Sequence, residues 1–319
     1  MIKQYFKIVL RNLWKNKTYS FTNIVGLALG LTCFLLIALY VFDELTYDRF
    51  HKKAGRTYRV IDEKTSPEGK ESKIAAVPYK IADRAPADIP EVKMAARFTA
   101  FGRTNISDPI STNTIHELFI TANTDFLQVF DFTLLEGNRA TALTAPRSVI
   151  LTEETAKRIY GVSSVVGRSL KAEVDSLPFT VTGILKNFPS NSHVSFNLIF
   201  SESSMTGKRY QDFINSDWTS NSFTTYLVLD KNADVAKATQ KLNRMVASNR
   251  TNDNTGKSML NLQPLSSIHF HSAGIEGDNS RSERKGNLTY IYVFSIVALF
   301  VLLIACINFI TLREENHFR

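Results

Sequence analysis

Residues 21–42 read FTNIVGLALGLTCFLLIALYVF, twenty-two positions without a charge, and residues 288–312 read LTYIYVFSIVALFVLLIACINFITL, twenty-five more. At about 1.5 Å per residue the first run spans about 33 Å as a helix, close to the thickness of a hydrocarbon core of about 30 Å, and the second can cross with some tilt. Both read as transmembrane helices. Tyr19 and Phe21 at the start of the first, and Tyr290 and Tyr292 at the start of the second, suit the aromatic belts of a membrane interface. The first run does not read as a cleavable signal. Its basic leader is twenty residues long, the apolar stretch exceeds the usual h-region, and no A-x-A follows. Gly30-Leu31-Thr32 before Cys33 is a poor lipoprotein site.

Working outward, the runs divide the 319 residues into a basic segment 1–20, a span 21–42, a long middle region 43–287, a span 288–312 and a tail 313–319. The formal charge of +8 is concentrated at the start, where Lys3, Lys7, Arg11, Lys15 and Lys17 stand without an acid, while the middle region carries only +3. That placement argues against a nucleic-acid surface. Ile2, Tyr5, Phe6, Val9, Leu10, Leu13 and Trp14 recur at the spacing of one helical face. The expectation is an amphipathic helix lying in the cytoplasmic interface, its cationic stripe against anionic lipid. Within the first span Gly26 and Gly30 form a G-x-x-x-G pair suited to close helix packing.

Positive-inside counting is tied, with five cations in the twenty residues on each side of the first span. Long translocated domains escape that rule whereas short basic N-termini obey it, so both termini are placed inside and residues 43–287 outside. The only cysteines, Cys33 and Cys306, lie in the apolar runs, so the middle region has no disulfide framework.

Alternation in the middle region predicts strands near 56–61, 94–103, 117–121, 148–151, 179–185, 195–200, 223–229 and 259–262. Helical spacing appears near 79–88, 153–160 and 234–248, the last between two strands as a β-α-β unit. Stretches 66–69, 186–193, 202–221 and 249–257 read as loops, and 272–287 as a linker. Asp43, Glu44 and Asp48 are expected to be solvated.

Catalytic patterns are absent. Gly256-Lys257-Ser258 lacks the first glycine of a P-loop and reads as a loop, and His116-Glu117 begins an H-E-x-x-H motif whose last position is Ile120. His269-Phe270-His271 puts two imidazoles on one face of a presumed strand, with no third ligand to make a metal site. No enzyme activity, metal or cofactor is expected.

Arg11-Asn12-Leu13-Trp14-Lys15-Asn16-Lys17 leads into Asn23–Gly30, and Tyr47-Asp48-Arg49-Phe50-His51 follows the first span. Then come Phe130-Asp131-Phe132 with Leu134-Leu135-Glu136-Gly137, Ser148–Thr152 with Ala156 and Tyr160-Gly161, and Gly183-Ile184 before Pro189-Ser190-Asn191-Ser192-His193. In this order the motifs resemble the permease subunits of MacB-like ABC transporters, whose later spans form an FtsX-like domain. The resemblance implies a membrane protein in which two transmembrane α-helices flank a mixed α/β (α+β) periplasmic core domain with β-α-β units, a base drawn from 43–110 and 222–287, and a more distal insert. It implies an efflux or mechanotransmission role in the bacterial inner membrane, with a separate ABC ATPase subunit as partner, a homodimer or second permease chain, and a periplasmic or outer-membrane partner. Such permeases continue into further spans, so a chain ending at Arg319 is expected to be a portion of one. The alternative is a two-span periplasmic sensor or interaction module without transport activity.

Overall fold

The computed structural model describes residues 17–111, 113–215, 218, 220–250, 257–280 and 285–315. The cationic positions Lys3, Lys7, Arg11 and Lys15 lie outside the described residues; Lys17 opens the first helix. The chain divides into two units, the pair of apolar helices and residues Tyr47–Lys285.

In the helical unit, Lys17–Leu45 (α1) and Leu288–Glu315 (α7) are apolar around their whole circumference, leaving Phe21, Leu36, Leu39 and Ile304 exposed. A helix without a polar face is suited to lipid rather than to water. Both are long and apolar enough to cross a membrane. They pack on each other: a Cβ added to Gly30 would sit 2.7 Å from that of Ala305, and the rings of Tyr40 and Phe294 meet edge-on at 5.6 Å.

The second unit is a mixed sheet with helices on it. Thr57–Thr65 (β1) is its axis. Glu71–Ile74 (β2) pairs with its second half, and helix Lys80–Asp88 (α2) follows. Val92–Ser107 (β3) and Thr114–Ala122 (β4) make a long antiparallel pair, followed by the short helix Phe126–Val129 (α3) and the strand Leu134–Gly137 (β5). Ser148–Thr152 (β6), helix Glu153–Tyr160 (α4), Ser169–Ala172 (β7), Asp175–Leu185 (β8) and Leu198–Ser201 (β9) come next. Helix Lys208–Asn215 (α5), Thr224–Leu229 (β10), helix Val235–Asn249 (α6), Lys257–Pro264 (β11) and Ile275–Glu276 (β12) complete the unit.

Two sub-structures share β3. In the base, β10 and β11 both run antiparallel to β1, so the β10-α6-β11 crossover is a β-α-β unit with β1 between its strands. Asp234 caps α6 by accepting a hydrogen bond from the Lys237 amide at 3.2 Å, and Ala238, Leu242, Met245 and Val246 bury its apolar face beside Ile81 and Ala85 of α2. In the distal part, the pairings β3-β4, β4-β9, β9-β6, β6-β8, β8-β7 and β7-β3 close a ring of six strands. Ile106, Phe119, Leu151, Phe179, Val181 and Phe200 form one cluster within it. A closed ring leaves no unpaired edge to invite another chain. Helix α4 is bounded by its own residues: Thr152 Oγ1 accepts from the Thr155 amide, Glu153 and Glu154 sit in the first turn, and Gly161 ends the helix at φ +75°.

The structure corrects several expectations. The polar stretch 202–221 holds α5, and 272–287 holds the short β12. His269 is in a turn after a 3-10 segment rather than on a strand, and is buried. Lys257 and Ser258 open β11 rather than lying in a loop. Glu44 and Asp48 are buried, at 8 % and 1 % exposure.

Candidate functional site

The buried polar groups of the core begin with the residues that follow α1. Tyr47 stacks on His269 with ring centroids 3.6 Å apart. Asp48 adopts φ +58°, a left-handed conformation that costs a residue with a Cβ, and its amide donates to the Asn191 carbonyl at 2.9 Å. Its Oδ1 accepts the His193 amide at 3.0 Å and lies 2.8 Å from His193 Nδ1, an electrostatic approach rather than an aligned hydrogen bond. Its Oδ2 is buried without a hydrogen-bond partner. A residue that is both backbone-strained and incompletely satisfied marks a place where other requirements override stability.

From His193 the polar groups continue inward. His193 Nε2 is 2.7 Å from the Tyr226 hydroxyl, whose pKa is driven well up by complete burial. Arg59, fully buried on β1, donates to Gln263 Oε1 at 2.7 and 3.1 Å, to Ser272 Oγ at 2.8 Å and to Asp278 Oδ2 at 2.6 Å. Burial pushes the Asp278 carboxyl up, but Arg59 and the Ser280 hydrogen bonds outweigh it and hold the pKa below the usual range. Arg59 stands directly opposite Tyr226 across the β1–β10 pair, so a chain of polar neighbours runs from Asp48, three positions beyond the end of α1, to Asp278, ten positions before α7 begins.

A branch fixes the same segment to the distal part. The Asp131 amide donates to His51 Nδ1 at 2.9 Å, the Lys52 amide donates to Asp131 Oδ2 at 2.8 Å, and Lys53 Nζ donates to the Gln128 carbonyl at 2.8 Å. Because Nδ1 accepts a hydrogen bond, His51 is neutral with its proton on Nε2. Burial first, and His193 after it, pull its pKa down to about 4 against the opposing pull of Asp48 and Asp131.

A second constellation lies where β3 passes from base to ring. Arg97 makes a two-pronged pair with Glu202 at 2.8 and 2.6 Å, reaches Asp83 Oδ1 at 2.5 Å and lies 3.4 Å above the Tyr79 ring. These groups line a cavity of about 370 Å³ together with Asp125 and Tyr210. Burial raises the Asp125 and Tyr79 pKa values, with Glu202 adding to the latter. A larger cleft of about 570 Å³ opens along the segment 187–197.

The positions singled out for chemistry stay apart. His116 is exposed and touches Asn105 Oδ1 at 2.9 Å, Glu117 is buried and paired with Arg158 and Asn197, and Ser258 donates to Asp62. No group of three His, Cys, Asp or Glu side chains suited to a metal occurs among the described residues. Of the glycine pair, Gly30 meets α7 closely, as described above, and Gly26 is half-buried. Sequence inspection picked out Tyr47–His51 and Pro189–His193 only as motifs. Their meeting across 145 positions of sequence has no local signal.

Against known proteins, the family described as MacB-like periplasmic core domain matches residues 20–245. No curated protein matches significantly. Among solved structures, a domain of a protein termed a permease from Porphyromonas gingivalis superposes with a TM-score of 0.59 at 20 % identity, covering 67 % of this chain and 91 % of that one. The periplasmic region of MacB from Actinobacillus actinomycetemcomitans gives 0.46 at 13 % identity over 67 % and 90 %. The extracellular domain of the noncanonic ABC-type transporter YknZ from Gram-positive bacteria gives 0.47 at 11 % over 65 % and 99 %. The family match covers well over half of the chain, so the protein belongs to the MacB-like periplasmic core domain family, as a membrane-anchored member whose core is flanked by two apolar helices.

Proposed function

We propose that the chain acts as the permease subunit of a MacB-like ABC transporter and couples ATP hydrolysis by a separate ATPase to movement of its core domain outside the membrane. The observation that carries this reading is the buried polar chain from Asp48 to Asp278, which ties the segment leaving the first apolar helix to the segment approaching the second. Displacement of either helix end would load hydrogen bonds that run through the middle of the base sheet. The family match is consistent with it. In this reading both termini face the cytoplasm of a bacterial inner membrane. Lys3, Lys7, Arg11, Lys15 and Lys17 hold an anionic lipid surface, Gly26 and Gly30 serve helix packing, and the chain works as a homodimer or with a second permease chain. A periplasmic or outer-membrane partner engages the distal part.

The test has two arms. Single cysteines at position 2, at Gly207 and at position 318, in a protein lacking Cys33 and Cys306, are treated with an impermeant thiol reagent in intact cells. Labelling at Gly207 alone is expected; labelling at both ends but not at Gly207 overturns the orientation. Purification of the tagged protein from its own host should bring down an ATPase whose turnover falls when Asp48 is replaced by Asn. Recovery without any ATPase would favour the sensor or interaction module.

A further inference from the structure

The 570 Å³ cleft is within the size range of small-molecule sites, and its floor has a definite geometry. Arg103 on β3 is paired in register with Leu118 on β4. The Asn197 amide donates to the Leu118 carbonyl at 2.8 Å, and the Thr152 amide on β6 donates to the Asn197 carbonyl at 3.0 Å. Arg103, Leu118, Asn197 and Thr152 are therefore consecutive neighbours in one row across the sheet, and all four line the cleft. Two positions beyond Thr152, in the first turn of α4, stands Glu154.

One charged side chain, Arg103, stands at one end of this row and another, Glu154, stands two positions past its other end. Arg103 and Glu154 are both exposed, and neither has an ionic partner among the described residues. The Arg103 guanidinium makes only a long contact of 3.4 Å to the His116 carbonyl, and the Glu154 backbone amide is fixed by Asn187 Oδ1 at 3.1 Å. Elsewhere in the core, cations such as Lys73, Arg147 and Lys241 have found carboxylates. Three strand spacings of about 4.8 Å put Thr152 about 14 Å from Arg103 along the row, the length of about four residues of extended chain at about 3.4 Å each, and Glu154 stands just past that end. Between them the wall offers the Ser195 side chain, and Phe188 and Phe196 in ring contact at 4.5 Å.

We infer that this cleft binds a short zwitterionic peptide of about four residues, its carboxylate at Arg103 and its ammonium group at Glu154. A guanidinium grips a carboxylate with paired donors, and a carboxylate accepts from an ammonium group. Hydroxyl and amide groups along the wall serve the peptide backbone, and the two phenylalanine rings serve an apolar side chain. The site does not depend on coupling to ATP.

The experiment is calorimetric titration of the full chain in detergent micelles with tetra-alanine, its N-acetyl form, its C-terminal amide and the doubly blocked peptide. Saturable binding of tetra-alanine is expected, weakened about tenfold or more by either block. Arg103→Gln should abolish the difference between free acid and amide, and Glu154→Gln the difference between free amine and acetyl. Both side chains are exposed, so circular dichroism should show both variants folded. Equal binding of the doubly blocked peptide, binding unchanged in both variants, or no binding of tetra-alanine at millimolar concentration would each overturn the assignment.

Discussion

Arg59 and Arg97 are both arginines on central strands, and both are held by carboxylates, yet their surroundings differ. Arg59 has no exposed surface and its donors are spent on Gln263, Ser272 and Asp278 inside the base. Arg97 is nearly as buried, but its partner Asp83 is half exposed, with a side-chain exposure of 52 %, and the group lines the open cavity of about 370 Å³. The comparison shows that burial of the cation alone does not set the cost of losing it. What counts is whether the carboxylates left behind can find water.

The largest effect is expected at Arg59. Arg59→Met leaves Asp278 charged and largely enclosed, and should cost about 3–5 kcal/mol in denaturant unfolding of the purified chain. Adding Asp278→Leu should return a large part of that loss. A single variant as stable as the parent would show that the two arginines do not differ in the way described.

Next comes acid, which probes the branch attached to the Asp48 end of the chain. His51 has an ordinary value of 6.5 and is drawn down to about 4 in the folded protein. The unfolded chain therefore takes up its proton first. Stability is full above about pH 6.5, declines as pH falls through the interval to about 4, and loses on the order of 3 kcal/mol from this group. Protonation at Nδ1 also removes the acceptor of the Asp131 amide. Unfolding measured between pH 7 and 4 should show the decline in the parent and lose this component in His51→Asn.

Arg97→Ala should cost about 2 kcal/mol, less than Arg59→Met, because Asp83 rehydrates at once and Glu202 can turn toward the cavity. A loss equal to that at Arg59 would remove the distinction. The smallest effect is reserved for a surface pair. Arg84 and Asp88, four apart on α2 at 2.8 Å, should contribute below about 0.5 kcal/mol, so Arg84→Ala should leave the unfolding midpoint almost unmoved.

How much of this was legible depends on the distance in sequence over which each feature is built. The apolar runs needed only a count of residues without charge. Helix 153–160 was readable to the residue, because Thr152, the glutamates after it and Gly161 are all local signals. Helix α5 was missed because its apolar positions are few and lie among serines, glycine and charges. Strands β5 and β7, at four residues each, are too short for alternation to stand out.

Asp48 was misread for a related reason. An aspartate beside arginine at the end of an apolar helix has every local property of a solvated residue, and only His193, far along the chain, makes it part of the interior. The charged groups of the cleft were equally silent, since strand pairing sets Arg103 and Thr152 at opposite ends of one row and the first turn of α4 then puts Glu154 just past Thr152.

By itself the sequence determined that two helices are suited to lipid, that a cysteine-free α/β region lies between them, and which motifs resemble a permease core. These follow from composition and short-range period, which act within a few residues. Only the tertiary structure decided that β3 serves both base and ring, that six strands close on themselves, and that Asp48, His193, Tyr226, Arg59 and Asp278 form one buried polar chain. Those features rest on pairings between residues far apart in sequence, and such partners are chosen by mutual burial and hydrogen-bond satisfaction rather than by local preference.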